Sequence, residues 1–212
     1  MWDTLCEVWK VCLHEAWEAY CHGSVPIGAA IVHDGTVIAR GRNRIFETSA
    51  PPGQVCGNHL AHAELNALLQ VSRAGVPLQQ YVLYTTMEPC PLCMGALYMS
   101  GLRTLHFAAR DRRAGSTDLL GTTGYLGRKT VAVHGPHAQL EAVQLALKTD
   151  YFLRRENRQQ ALELLEDWAQ DCPGGVALGY HLYDSGRLVE ASQAREPVSA
   201  LVRELAGALA AS

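Results

Sequence analysis

The sequence predicts an α/β protein: a three-layer α/β/α sandwich around a central mixed five-stranded sheet, followed by a C-terminal helical extension. Three observations carry this. Strand-length apolar runs alternate with segments of three- and four-residue apolar period up to about residue 155. Asp34-Gly35 stands between two apolar runs, a hairpin signal that makes the start of the sheet antiparallel, whereas the later strands, joined through helices, read as parallel. Beyond residue 156 every strand pattern is lost and the chain becomes rich in Ala, Leu and Glu. A chain of 212 residues accommodates one domain over 1–156 and an extension over 157–212.

The elements follow in order. Leu5, Val8, Trp9, Cys12, Ala16, Trp17 and Tyr20 recur at helical steps, so residues 3–20 are expected to be helical, ending at His22-Gly23. Ile27 to Val32 and the run through Val37 and Ile38 are the hairpin strands. Residues 42–60 hold Pro51-Pro52-Gly53 and Gly57-Asn58 and predict a long irregular loop. A helix is expected from about Ala61 to Ala74, a strand over Tyr81–Thr85, a helix over 91–100 begun by Pro91, and a strand over Thr104–Ala109. After a Gly-rich connection come a strand over Thr130–His134 and a helix over Gln139–Arg155. The extension reads as three helices, 157–170, 176–192 and 197–210.

Composition narrows the class. Hydrophobic residues make up 48% and charged residues 18%, as in an ordinary globular chain. No apolar run approaches the length of a membrane span, and Met1-Trp2-Asp3-Thr4 lacks a signal-peptide pattern. Seven cysteines without an export signal are expected to be thiols of a cytoplasmic protein, some of them metal ligands. The net charge of -3 divides unevenly: -4 over 1–34, +5 over 35–130 and -4 over 131–212. The middle segment can attract a phosphorylated or nucleic-acid ligand locally, but there is no broad basic face of the kind that coats nucleic acid.

The chemistry-bearing residues are His62-Ala63-Glu64 and Pro89-Cys90-Pro91-Leu92-Cys93, an H-x-E…P-C-x-x-C pattern. A catalytic Zn²⁺ takes three protein ligands and leaves one position open. His62, Cys90 and Cys93 would supply a nitrogen and two thiolates, the cysteines three apart at a helix start with both sulfurs on one side. Glu64, two residues beyond His62, would not be a fourth ligand but the proton carrier between water, ring nitrogen and leaving amine. The competing reading is a closed structural site completed by Cys56 or His59, or a zinc-containing binding module without catalysis. Glu64 discriminates, because such a module does not need it.

With these residues in view, the chain resembles the cytidine deaminase-like superfamily over roughly residues 5–156, closest to the branch of bacterial tRNA adenosine, guanine and cytosine deaminases. Val25 to Ala29, Gly41-Arg42-Asn43-Arg44, Ala61 before His62 and Thr86-Met87-Glu88 before Pro89 also carry the resemblance. It implies a zinc-dependent hydrolytic deaminase with one Zn²⁺ per chain, acting on an amino-substituted nucleobase and releasing ammonia. It implies substrate contacts from Asn43, from the backbone at Ala63 and from Asp111, structural support of the cysteine loop by Glu88, and a homodimer. Ala109-Arg110-Asp111 and the end of the final helix, Asp150 to Glu156, are similar to the tRNA enzymes. The longer stretch from Asn43 to His62 and the acidic tail depart from them. A small-molecule base, nucleoside or nucleotide is therefore the favoured substrate, with adenosine in a tRNA anticodon loop as the alternative. The 43–60 loop is expected to be a lid over a compact pocket.

The remaining residues read as structural. His106 is expected in the core; Cys6, Cys12 and Cys21 as packing; Trp2, Trp9, Trp17 and Trp168 as helix-docking anchors. Arg40, Arg42, Arg44, Arg110, Arg112 and Arg113 would either bind phosphate or form a solvated rim.

Overall fold

The computed structural model describes residues 1–71, 77–155 and 157–211. In chain order the elements are α1 Glu7–Cys21, β1 Gly28–His33, β2 Thr36–Arg42, α2 Ala63–Leu68, β3 Val82–Met87, α3 Pro91–Ser100, β4 Thr104–Ala109, β5 Ala132–His134 and α4 Ala138–Arg155, then α5 Arg158–Ala169, α6 Pro173–Ser185, α7 Arg187–Gln193 and α8 Val198–Ala211. The five strands form one sheet in the order β2-β1-β3-β4-β5. β1 runs antiparallel to β2 and to β3, whereas β3, β4 and β5 are parallel. The hairpin turns at Asp34 and Gly35, both at positive φ (47° and 74°), which suits the right-handed twist of its strands. Among the described residues no helix is long and apolar enough to cross a membrane.

Alternation along the strands builds the three layers. Ala30, Val32 and Ala108 face α1 and α4, joining Trp9, Leu13, Leu140, Val143 and Leu147. Ala29, Ile31, Leu83, Leu105 and Phe107 face α2 and α3, joining Ala63, Ala67, Met94 and Leu97. The α2 side is unusually close. A Cβ at Gly41 would stand 2.4 Å from the Ala63 carbonyl and 2.5 Å from the Ala67 nitrogen, so the helix backbone rests directly on β2.

The predicted elements differ from the observed ones in particular places. The first helix begins at Glu7, because Trp2–Thr4 is a separate 3₁₀ turn and Cys6 is an extended N-cap. The helix predicted over 61–74 is observed as Ala63–Leu68, and 72–76 lie outside the described residues. The final strand is three residues long. Among its described residues the extension holds four helices, because Gly186 at φ 72° ends α6 and starts α7 within the predicted 176–192 helix. The proposed division at 156/157 falls at Glu156, outside the described residues.

The extension shares the α1–α4 core through Leu182, Leu188, Val198, Leu201, Val202 and Leu205. Trp17 of α1 donates from its indole to the Glu196 carbonyl at 2.9 Å, and Arg154 of α4 donates to the Tyr183 carbonyl at 2.9 Å. The tryptophans at 9, 17 and 168 are buried anchors, as expected. Cys12 is buried packing, but Cys6 is exposed at its N-cap. His106 is half-buried on the sheet, not in the core, stacked between Tyr84 and His134 at 4.5 and 4.4 Å.

Gly41→Ala should destabilise the fold by about 3 kcal/mol, since backbone atoms of α2 cannot rotate away from the added methyl. Urea unfolding measures it.

Candidate functional site

Two helix N-termini meet at the end of the sheet. His62 is the N-cap of α2 and Cys90 the N-cap of α3. Pro91 takes the first position of α3, where its missing N–H costs nothing, and Cys93 lies in that same turn. His62 Nδ1 is 3.5 Å from Cys90 Sγ and 3.4 Å from Cys93 Sγ. The three ligand atoms all lie within 4.8 Å of one another, the one such cluster of His, Cys, Asp and Glu among the described residues. A tetrahedral zinc with bonds of about 2.3 Å to sulfur and about 2.0 Å to nitrogen sets an S···N edge of about 3.5 Å. Both observed separations fit that edge, and the donor set is a zinc set. Cys56 and His59 are not part of the cluster, so no closed four-ligand site forms here.

The electrostatics suit a cation. Hydrogen bonding from Cys93, together with His62, pulls the Cys90 thiol down to about 4, so its sulfur is a thiolate. The Cys93 thiol is pushed up, by its bond to Cys90 and then by burial beside Glu64. Metal binding would displace that proton. The hydrogen bond to Cys90 raises His62.

Glu64 is in the first turn of α2 and only 3% exposed. Its Oε1 accepts from the Thr85 hydroxyl at 3.2 Å and its Oε2 from the Cys93 thiol at 3.4 Å. Burial raises its carboxyl above the ordinary range. It therefore stands beside the three-ligand cluster without belonging to it. Ala63, the first residue of α2, is fully buried, and its N–H has no acceptor within the helix. Asn43 is 2% exposed; its backbone N–H donates to the Ile27 carbonyl at 3.0 Å and its side-chain Oδ1 accepts from the Ile45 N–H at 3.2 Å.

Asp111, expected as a substrate contact, has several partners within the protein. It is buried, its Oδ1 accepting from Arg113, Ala114 and the Trp168 indole at 3.2 Å each, and its Oδ2 lying 3.3 Å from Lys148 Nζ. Both oxygens are engaged within the protein. Four of the six arginines singled out in the sequence are engaged too. Arg42 grips Glu47 with two bonds of 2.9 Å, Arg44 pairs with the same carboxylate, Arg40 with Glu15 and Arg112 with Asp171.

The 43–60 loop, expected as a lid, is irregular and hydrogen-bonded to its surroundings. Asn66 of α2, fully buried, accepts from Val55 N at 2.8 Å and donates to the carbonyls of Arg42 and Val55 at 3.0 and 3.1 Å. Gly57 N donates to the Arg44 carbonyl at 3.0 Å, and Arg44 N to that of Ala61 at 2.8 Å. Glu47, Asn66, Thr85 and Lys148 are supporting residues that sequence reasoning missed, and Trp168 it read only as a helix-docking anchor. Thr85 carried a signal: it is a polar residue two positions from Leu83, on the buried face of a strand.

Asn66→Ala should cost about 2–3 kcal/mol, because Val55 and Arg42 backbone groups lose their partner in a buried place. Urea unfolding should show the loss, and amide exchange should show Val55 becoming less protected.

The sequence matches the cytidine and deoxycytidylate deaminase zinc-binding region over residues 3–109. The tRNA-specific adenosine deaminase of Aquifex aeolicus is 36% identical over 108 residues, 50% of this chain and 66% of that protein. The guanine deaminase of Bacillus subtilis is 36% identical over 91 residues, 42% of this chain and 53% of that protein. The chain thus spans between 53% and 66% of the length of these two curated relatives, and 8% of the chloroplastic tRNA(adenine(34)) deaminase of Arabidopsis thaliana. A solved structure from studies of A-to-I editing by tRNA:A34 deaminases is similar with a TM-score of 0.50 and 29% identity, over 60% of this chain and 95% of that one. Another, in complex with 2,6-diaminopurine, has a TM-score of 0.51 and 26% identity over 69% and 80% of the two chains. The matched span takes in the sheet up to β4 and all three ligand positions, and by this match the chain belongs to the cytidine and deoxycytidylate deaminase zinc-binding family.

Proposed function

We propose that the protein is a hydrolytic deaminase of an amino-substituted nucleobase, presented as a free base, nucleoside or nucleotide. The observation that carries this is the His62–Cys90–Cys93 cluster with the buried Glu64 carboxylate 3.4 Å from Cys93 Sγ. In this reading the three residues hold one zinc ion, which when bound supplies the Lewis acidity that makes water nucleophilic near neutral pH. Glu64 takes a proton from the attacking water and delivers it to the ring nitrogen. It then delivers the second proton to the amine as the C–N bond breaks, so ammonia leaves and oxygen takes its place on the ring. The raised carboxyl of Glu64 suits a group that must both accept and return protons. Thr85 holds one carboxylate oxygen, leaving the other beside the metal ligands. Asn43 and the backbone N–H of Ala63 orient the ring by hydrogen bonds.

Two observations favour a compact substrate. Asp111 is engaged with Lys148 and Trp168. Helix α5, packed beside that loop, exposes Glu163 and Glu166, which are unfavourable to a polyphosphate strand there, while Asp171 after it is neutralised by Arg112. The second reading is adenosine in a tRNA anticodon loop, favoured by the tRNA-specific names among the relatives. A homodimer belongs to either reading. Leu92 and Met99, two turns apart on α3, are 37% and 61% exposed and would be covered by a partner.

A panel of amino-bearing bases, nucleosides, nucleotides and anticodon hairpins, scored by ammonia release and product mass, tests the reading. Turnover of at least one small molecule is expected. Turnover of a hairpin with none across the small molecules selects the second reading. Glu64→Gln should retain one zinc per chain by metal analysis while losing about 10²–10⁴-fold in turnover, because the amide keeps the shape but carries no proton.

A further inference from the structure

The C-terminal extension reaches the metal cluster through a continuous set of polar contacts. Glu88 and Pro89 immediately precede Cys90 in the chain. The Glu88 carboxylate accepts from Asp111 N at 3.2 Å and from Thr117 through both its N–H and its hydroxyl. The Pro89 carbonyl accepts from Ser116 N at 3.0 Å. The turn that carries the first thiolate is thus held by residues 111–117. That segment is held in turn by the side chain of Asp111, which caps its own turn through Arg113 and Ala114.

Asp111 is fixed from outside the segment by two residues. Lys148 of α4, only 3% exposed, lies 3.3 Å from Oδ2. Trp168 of α5, 1% exposed, donates to Oδ1 at 3.2 Å. The Lys148 ammonium also stands 4.2 Å from the centre of the Trp168 indole, so the three side chains form one buried unit. Burial pushes the Asp111 carboxyl up, but Lys148, Trp168 and the turn amides more than offset it, and the group stays ionised. A second tie, the bidentate Arg112–Asp171 pair with both bonds at 2.7 Å, joins the same segment to the turn after α5. A buried ammonium and a buried indole N–H converging on one carboxylate are costly to assemble, and removing one partner leaves the others unpaired. Packing the extension against α4 requires apolar surface but not this charge.

We propose that Lys148 and Trp168 are positioning residues for the metal centre: through Asp111 and Glu88, helix α5 of the extension fixes the turn that presents Cys90. This inference rests on the reading of His62, Cys90 and Cys93 as zinc ligands. The extension is then a working part of the site and not an appended module.

The test uses the zinc-loaded full chain and follows zinc release to a competing coloured chelator, alongside kcat and KM on whichever substrate is turned over. Asp111→Asn and Lys148→Met should each speed zinc release about 10-fold, the scale found for groups that orient metal ligands from behind. Trp168→Phe keeps the ring over Lys148 and removes only the N–H donor, so it should fold and show a smaller change in the same direction. In all three kcat should fall while KM stays within about threefold. Val202→Ala, in the α8 core far from this unit, should lower thermal stability and leave zinc release unchanged. Zinc release unmoved in Asp111→Asn and Trp168→Phe, or speeded equally by Val202→Ala, overturns the proposal. A parent protein that binds no zinc overturns this proposal and the ligand reading together. One that binds zinc but deaminates nothing leaves the release measurements to decide the positioning role alone.

Discussion

An imidazole nitrogen must stand about 3.5 Å from each of two sulfurs for a tetrahedral zinc to fit, and much of the molecule is arranged around that requirement. Bringing a thiolate and a second thiol together in a largely buried place is unfavourable unless something stabilises the charge. Here the stabilisation comes from helix ends. His62 and Cys90 are N-caps, and the free N–H groups and dipoles of α2 and α3 converge on the cluster. That convergence needs α2 against β2 with no side chain between them, hence Gly41, and α3 begun sharply after β3, hence Pro91. The sheet order follows from the same need, since the parallel β3 and β4 both deliver their carboxyl ends to one side.

Around the cluster the polar groups are buried and satisfied in connected sets. Glu47 takes two arginines, Asn66 takes three backbone groups, and Glu88 takes the 111–117 segment. Each set joins a loop to an element that carries a site residue. A buried network of this kind is favourable only when complete, which makes the loops as definite in position as the helices.

What was legible in the sequence divides along physical lines. Local periodicity and turn chemistry sufficed for α3 and β4, whose observed limits are those predicted, and for the Asp34-Gly35 hairpin. The ligand cluster was legible because metal chemistry demands particular residue types at particular spacings. Helix ends were less so. α1 starts later than its periodicity suggests, because Trp2–Thr4 forms its own turn, and Gly186 divides a segment that reads as one helix. Least legible were the long-range polar contacts. Nothing near Asp111 in the chain announces that Lys148 and Trp168, 37 and 57 positions away, will engage it. The resemblance implies a substrate contact at Asp111; tertiary structure adds that its carboxylate is held by Lys148 and Trp168. The loop over 43–62 is a similar case: its Pro and Gly residues announce irregularity but say nothing of the Asn66 side chain that holds it.

That Asn66 anchor has a further consequence. Because it sits on α2 one turn from His62, it couples the 43–60 loop to the ligand-bearing helix. A disturbance at Val55 is therefore felt by the helix that presents His62 without any change among the ligands themselves.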